Sequence, residues 1–374
     1  MTVRAKPDPG SPVVPVEIEL KLAIPPSAVR ALRAHPAVRE VARGRARTSR
    51  VVTTYQDTPD RRLARAGLAL RVRRDGKRWS MSVKSEASGP GAAIAVRGEL
   101  EWPLRGPAID RLRLASTPWW RSTFEKALRK GTLAPAFSTS VARTTQALAF
   151  PDGTEAMLAV DLGRIVAPDR GRGARGMRIA EVELELSRGD RRRALELATR
   201  LAADLPLLVE PRSKAERGYA LADAVDPAPS RARDVEFADD ATAHEAIASV
   251  IGECLRQIAH NAVGLREAGP QDPEWVHQLR IGVRRLRSTF AFADGLVDVA
   301  AVEALRHETR WVLDALGTAR DLDVFVGETL PAAARDLAQS GRDDGAASAA
   351  LEGLARRAAT RRRAARAAAL ECVG

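Results

Sequence analysis

A chain of 374 residues exceeds what one ordinary domain requires, and its 45% apolar content supplies material for two cores. Sixty basic residues against 48 acidic ones leave a formal charge of +12, which favours an anionic partner without identifying it. No apolar run reaches the roughly 18 residues needed to cross a bilayer, the Pro-rich start lacks a signal peptide's apolar stretch, and two cysteines (Cys254, Cys372) with no HExxH argue against disulfide and zinc chemistry, so a cytoplasmic protein is expected.

Residues 1–15 (MTVRAKPDPGSPVVP) read as a disordered tail. From 16 to 224, apolar and charged residues alternate at period two in VEIELKL (16–22), LRVR (70–73), WSMSVK (79–84), VRGELEW (96–102) and EVELEL (181–186), the pattern of antiparallel strands with one apolar and one charged face. Ser27, Thr117 with Pro118, and Asp190 are placed to open helices between the strands, the last ending near Pro206. SKAERGYAL (213–221) carries a capping box, Ser213 with Glu216. A second Pro- and charge-rich break marks a linker over 225–239. Beyond it, 240–374 is rich in Ala, Leu and Arg at period 3.6, which predicts helices near 242–267, 273–297, 300–316, 320–339 and 345–371. Asp272 with Pro273 forms a start signal and Gly317 a stop, and a helical bundle is the economical arrangement.

The charged strand faces carry the chemistry. Alternation puts Glu17, Glu19 and Lys21 on one face of the first strand, and Glu181, Glu183 and Glu185 on one face of the last. Other strands present Arg71 with Arg73, Lys84, and Arg97 with Glu99 and Glu101. A sheet wet on one side accounts for any single strand. Three carboxylates in a row repel one another, however, and a divalent cation would relieve them. Mg²⁺ takes carboxylate, water and phosphate oxygens, while Arg and Lys neutralise the remaining phosphate charge. The chain has only seven lysines against fifty-three arginines, and Lys21, Lys84 and Lys214 all occupy such positions. Lys214 falls in the first turn of a helix, where the dipole disfavours a cation; a bound anion would reverse that, and a tolerated exposed lysine accounts for it equally well.

In WVHQLRIGVRRLRSTFAFA (275–293) there are four arginines, one histidine and no acid. At about 100° per residue His277, Arg280, Arg284 and Arg287 share one face, and Leu279, Val283, Leu286 and Phe290 the other. An ordinary solvated face would intersperse acids as i,i+4 partners, so the stripe is a candidate anion surface.

Taken in order, the ExExK strand (Glu17, Glu19, Lys21), YQDTPDRRLARAGLALRVRRDG (55–76), Lys84, VRGELEW, FSTSVAR ending at Arg143, VDLG containing Asp161, EVELEL and SKAERGYAL resemble the CYTH domain of the triphosphate tunnel metalloenzymes over about 16–222. The basic helix together with LGTARDLDVF (316–325) resembles a CHAD domain, of which 240–374 matches the first half only. The resemblance implies an α+β multidomain chain: an antiparallel eight-stranded β tunnel with flanking helices, followed by an all-α helical bundle. It implies hydrolysis of tripolyphosphate to diphosphate and phosphate with Mg²⁺ or Mn²⁺. Lys21, Arg71, Arg73, Lys84, Arg143, Lys214 and Arg217 then bind phosphate. Glu17, Glu19, Asp161, Glu181, Glu183 and Glu185 hold metal, with Glu99 and Glu101 assisting. Glu17, Glu19, Lys21, Glu181 and Glu183 form the catalytic set. On the CHAD-like part His277, Arg280, Arg284, Arg287 and Arg320 are the implied contacts to inorganic polyphosphate, with Asp321 and Asp323 orienting arginines and six arginines between Arg356 and Arg366 adding charge. Thiamine triphosphatase and adenylate cyclase of the same fold remain open alternatives, as does a polyphosphate-tethering protein with weak catalysis. Aromatics make up only 4% of the chain and none lies among the arginines of the helical stripe, which argues against nucleic acid. Oligomeric state is not legible in the sequence.

Overall fold

The computed structural model describes residues 14–85, 94–169, 173–268, 272–293, 295–296, 299–340 and 345–373. These divide into two compact units, one ending at Pro227 and the other beginning at Ala228. Most of the expected tail lies outside the described residues.

The first unit is built on β1 (Val16–Ala23), β2 (Ala42–Asp57), β3 (Leu68–Asp75), β4 (Arg78–Ser85), β5 (Ile94–Leu104), β6 (Ala134–Ala149), β7 (Glu155–Asp169) and β8 (Gly173–Arg188). Their order is β5-β4-β3-β2-β6-β7-β8-β1, and β1 pairs back onto β5, so the sheet closes into the expected eight-stranded antiparallel tunnel. A short β9 (Leu208–Val209) adds to β1. The helices are α1 (Val29–Ala34), α2 (Pro36–Val41), α3 (Arg62–Arg65), α4 (Arg111–Ala115), α5 (Glu125–Lys130), α6 (Arg192–Asp204) and α7 (Lys214–Ala222).

Closure gives every strand an inside and an outside. Outside, Leu20, Leu22, Leu158, Val182 and Leu184 pack against Leu32, Val38, Leu197 and Leu201 of α1, α2 and α6. Leu68, Leu70, Val72, Met81 and Val83 pack likewise against Leu114, Trp119 and Phe124. Inside, a third cluster joins Tyr55, Phe137, Val141, Ile165 and Ile179 to Ala215 and Tyr219 of α7, which plugs one end of the barrel. Tyr55 stacks on Phe137 at 4.4 Å, and Tyr219 meets that ring edge-on at 5.0 Å. Gly218 is required here, because a Cβ at that position would overlap the Phe137 ring.

The start of α7 is tightly fixed. The capping box forms in both directions, Ser213 Oγ accepting from Glu216 N at 3.0 Å and Glu216 Oε2 accepting from Ser213 N at 2.6 Å. Just before it, buried Glu210 accepts two hydrogen bonds from the Arg212 side chain at 2.9 and 2.8 Å. Burial would push this carboxyl up, but the Arg212 hydrogen bonds and the Arg217 and Arg212 charges hold it at about 2.

Not every start signal is used as expected. Ser27 caps nothing, since a 3₁₀ turn at Pro26–Ala28 leads into α1 without a side-chain cap. Thr117 Oγ1 donates to Leu114 O at 2.8 Å, closing α4, and a π turn at Trp120–Phe124 precedes α5. Asp190 does accept from Arg192 N at 2.9 Å.

The second unit contains α8 (Ala243–Ala268), α9 (Pro273–Phe292), α10 (Val299–Val324), α11 (Leu330–Ser340) and α12 (Ala346–Cys372). The stretch from Ala228, read in the sequence as part of the linker, is tied to α8 through Ser230 N to Asn261 Oδ1 and Arg233 N to Glu253 Oε1, both 2.9 Å. Asp272 caps α9 by accepting from Glu274 N, and the buried face of that helix carries Trp275, Val276, Leu279, Val283, Leu286 and Phe290. Gly317 does not stop α10, which continues to Val324 and passes through a π turn at Phe325–Thr329 into α11. The glycine instead clears room for the Arg280 guanidinium, whose Nη1 would lie 2.7 Å from a Cβ there. Buried Asp323 pairs with Arg366 at 2.6 Å and lies 3.8 Å from Arg362. Among the described residues, no helix is long and apolar enough to cross a membrane.

Three stability measurements follow from these contacts. Gly218→Ala should lose about 1–3 kcal/mol in denaturant unfolding, because a rigid ring blocks the new methyl. Gly317→Ala, which meets only a mobile guanidinium tip, should cost less than the propensity gain of about 1 kcal/mol and come out neutral or stabilising. Glu210 has a folded pKa near 2 against 4.5 unfolded, so its contribution, on the order of 3 kcal/mol, is present above pH 4.5 and fades as pH falls toward 2. Glu210→Gln should therefore lower stability at pH 7, and the gap from wild type should shrink in unfolding curves below pH 4.5.

Candidate functional site

Strand register brings the inward charged residues face to face. Lys21 lies opposite Glu183 and Glu19 opposite Glu185 across β1 and β8. Asp161 on β7 lies opposite Glu181 on one side and Arg143 on the other. Across β3, β4 and β5, Arg71 opposes Ser82 and Lys84 opposes Glu99. Directly opposed side chains start about 5 Å apart, within reach of direct ion pairs.

The deepest group is Asp161, Glu181 and Glu183, one oxygen from each lying within 4.8 Å of the others. Asp161 is fully buried and Glu181 is 1% exposed. Lys214, from the first turn of α7, reaches into the middle of them. Its Nζ is 2.8 Å from Asp161 and 2.7 Å from Glu183, and it also contacts Glu181. Arg143 forks onto Asp161 at 2.8 and 2.6 Å and reaches Glu183 at 2.7 Å, while Arg217 contacts Glu181. Burial pushes the Asp161 and Glu183 carboxyls up, but Lys214 and Arg143 outweigh it and hold both below the usual range. Burial equally disfavours the Lys214 ammonium, and the three acids raise its pKa regardless.

A second group lines the opposite wall. Lys84 Nζ is 2.5 Å from Glu17 and 3.0 Å from Glu99, and Arg71 donates to Glu99 at 2.8 Å and to Ser82 Oγ at 2.7 Å. Against burial, Arg71 and Lys84 hold the Glu99 carboxyl at about 2. Arg73 has no such partner for its Nε, and the neighbouring Arg71 charge with burial lowers it to about 10. Glu19 and Lys21 are both buried, 3.7 Å apart. Glu19 Oε1 makes no hydrogen bond, and burial with the nearby Glu183 charge raises its carboxyl.

Of the residues singled out in the sequence, Glu17, Glu19, Lys21, Arg71, Arg73, Lys84, Arg143, Asp161, Glu181, Glu183, Lys214 and Arg217 share the strand face and plug helix that form the interior. Glu185 is exposed and stands outside the compact acid group. Lys214 is neither a tolerated surface lysine nor an unpaired cation waiting for an anion: it is half-buried and paired with three acids. Sequence reasoning missed Ser82 and Tyr55. Tyr55 sits opposite Arg71, and although burial would raise its hydroxyl, Arg71 and Lys214 lower it. The pairing with Arg71 that places it inside is not legible in the sequence.

On α9 the stripe is arranged differently from a plain solvated face. Arg284 is exposed, while His277, Arg280 and Arg287 are half-buried. Arg280 Nη1 donates to Leu313 O at 3.3 Å, and Arg287 Nη1 donates to Arg306 O at 2.7 Å, so both spend a donor on the α10 backbone. Arg320 lies 3.9 Å from Glu328. Asp321 is exposed, whereas Asp323 orients arginines of α12.

The acid group suits a divalent cation. Its donors are hard carboxylate oxygens already clustered, and the ammonium of Lys214 lies where positive charge is needed.

A sequence profile of the CYTH domain matches residues 16–219, and one of the CHAD domain matches 249–373. The chain is 29% identical over 171 residues to the inorganic triphosphatase of Haemophilus influenzae, a stretch covering 45% of each protein, so it spans under half that relative's length. Among solved structures it is similar to a putative adenylyl cyclase from Hippeastrum with a dominant triphosphatase activity, at 20% identity over 55% of this chain and 95% of that one, TM-score 0.38. It is also similar to the CHAD domain of the plant Ricinus communis, at 34% identity over 39% of this chain and 48% of that one, TM-score 0.30. The profile match over more than half of its length makes the chain a member of the CYTH family, with a CHAD domain following the CYTH domain.

Proposed function

We propose that the barrel is a metal-dependent inorganic triphosphatase, cleaving tripolyphosphate to diphosphate and phosphate, and that the helical unit binds polyphosphate. The observation that carries this reading is the compact trio of buried Asp161 and Glu181 and half-buried Glu183, set among Lys214, Arg143 and Arg217. A pure anion binder has no use for buried carboxylates, whose desolvation is costly. The Haemophilus influenzae relative, named an inorganic triphosphatase, supports the same substrate.

On this reading Asp161, Glu181 and Glu183 hold Mg²⁺ or Mn²⁺, with Glu17, Glu19 and Glu185 on the adjoining walls. The ion, when bound, neutralises phosphate oxygens and acts as a Lewis acid. Lys21, Arg71, Arg73, Lys84, Arg143, Lys214 and Arg217 turn part of their donors from acids to phosphate oxygens, spreading charge compensation along the chain of phosphates. Arg73, with its Nε unbonded and its neighbours cationic, gains most from an incoming anion. Glu19 Oε1 has an acceptor open to a water molecule and is suited to orient it. The plug formed by α7 keeps bulk water from one end, which strengthens every electrostatic contact inside.

Phosphate release from tripolyphosphate, thiamine triphosphate and ATP, each with and without Mg²⁺, tests the assignment. Metal-dependent release fastest with tripolyphosphate is expected, and Glu181→Gln should lower kcat on the order of a hundredfold or more while its far-UV spectrum stays native. An inactive wild type on all three substrates would leave a binding protein instead. For the helical unit, Arg280→Ala with Arg284→Ala should weaken retention on immobilised polyphosphate and leave tripolyphosphate turnover within about twofold. Equal loss of both would contradict the separation of roles.

A further inference from the structure

The interior cations are matched by interior acids, so the cavity itself exerts little net pull on a distant anion. That matching ends on the first half of β2. From Ala42 to Gln56 the strand carries Arg43, Arg45, Arg47 and Arg50 and no acid. All four arginines are exposed, and none pairs with a described carboxylate. Some exposed arginines elsewhere on this unit pair with acids, Arg129 with Glu125 at 2.7 Å, Arg188 with Glu155 at 3.0 Å and Arg200 with Glu40 at 2.8 Å, while others, such as Arg33, Arg39 and Arg78, have no described carboxylate; what distinguishes β2 is the run of such arginines on one strand.

Register places three of the four at the mouth opposite α7. Pairing of β2 with β3 stops at Val51 opposite Asp75, whereas pairing with β6 continues out to Ala42 opposite Leu148. Residues 42–50 therefore run past the end of β3, with β6 as their strand neighbour. Alternation puts Arg47 on the face of Ser49, Val51 and Thr53, and Ser49 lies opposite Arg143, which holds Asp161 and Glu183. A register shift between Arg43 and Arg47, with Gly44 at φ +65°, returns Arg43 to that inward face opposite Ala147 and leaves Arg45 in the bulge. Arg50 points the other way. The backbone of this arm is pinned by Gln146 Nε2 donating to Arg43 O at 2.8 Å and by Thr145 Oγ1 donating to Arg47 O at 3.4 Å; Arg43 Nη1 donates to Ala42 O at 3.1 Å, and the side chains of Arg43, Arg45 and Arg47 are exposed. A row of cations thus runs from Arg143 out to the lip, about 3.4 Å per residue of strand.

We propose that Arg43, Arg45 and Arg47 form an entrance subsite for linear polyphosphate longer than triphosphate. It rests on the triphosphatase reading of the interior: the chain end occupies the barrel while guanidinium forks hold the phosphates left outside. An exposed edge strand needs some charge to discourage pairing with other chains. That need does not call for three unpaired charges of one sign continuing an interior row of cations. Such a lip also supplies the uncompensated field that steers an anion to a balanced cavity.

The test compares the full chain with its Arg43→Ala, Arg45→Ala, Arg47→Ala variant. Kd is measured by calorimetry for tripolyphosphate and for long-chain linear polyphosphate at low and high salt, alongside phosphate release from both. Both proteins also carry Arg280→Ala and Arg284→Ala, which removes the helical unit's proposed polyphosphate contacts, so their difference reports the lip. The expected result is a rise of roughly tenfold or more in the ratio of long-chain Kd to tripolyphosphate Kd, shrinking as salt screens the arm. An unchanged ratio overturns the proposal, as does a loss of equal size for both ligands, whether or not the protein turns over. Absent phosphate release in the wild type sinks the hydrolase reading separately, because the binding ratio is read without turnover. A variant that aggregates with an unaltered ratio identifies the arginines as guards of an edge strand.

Discussion

Closing a sheet whose inner face carries acids forces each buried carboxylate to find a cation. An unpaired buried charge costs several kcal/mol, and the barrel interior sets three carboxylates, two of them buried, within 4.8 Å of one another. Lys214 answers most of that demand from a single position, contacting Asp161, Glu181 and Glu183 together. It can do so only because α7 enters the barrel, and α7 enters because Gly218 lets it lie against Phe137 and because the capping box fixes its first turn. The helix that plugs the barrel is therefore also the one that neutralises it.

This arrangement ties stability to function. On the proposed function, the contacts that hold the interior together are the ones a polyphosphate and a metal would exchange for their own: each cation would give up an acid for a phosphate oxygen and each acid a cation for the ion, which would keep the charges balanced. Outside the barrel the two helical layers carry ordinary apolar packing, and substitutions there act on stability alone. Four exposed arginines with no described carboxylate partner lie together on the arm of β2.

Much of this was legible in the sequence because a strand with one charged face displays its period directly. VEIELKL and EVELEL announced β1, β8 and their inward residues, and SKAERGYAL announced the capped helix. The long strands β2, β6 and β7 were harder, since Thr, Ser and Ala residues blur the alternation over Thr53–Thr54 and Ser138–Ser140. What the sequence could not provide was pairing. Nothing in its order says that Asp161 sits opposite Glu181, which is why the compact acid trio differs from the set anchored on Glu17 and Glu19. Gly317 misled for a similar reason: a glycine in a helix reads as a stop until the Arg280 side chain lying over it is seen. The stripe on α9 was found by period, but its engagement with α10 carbonyls depends on a neighbour 19 to 33 residues away.

On the proposed function the acid trio, once loaded, would hold a divalent ion against a short chain of phosphates. Crystals grown with Mn²⁺ and tripolyphosphate, measured at the manganese absorption edge, decide this. An anomalous peak between Asp161, Glu181 and Glu183 is expected, with Lys214 moved onto phosphate. Manganese found only on the outer surface, with Lys214 still bridging the three acids, would contradict it.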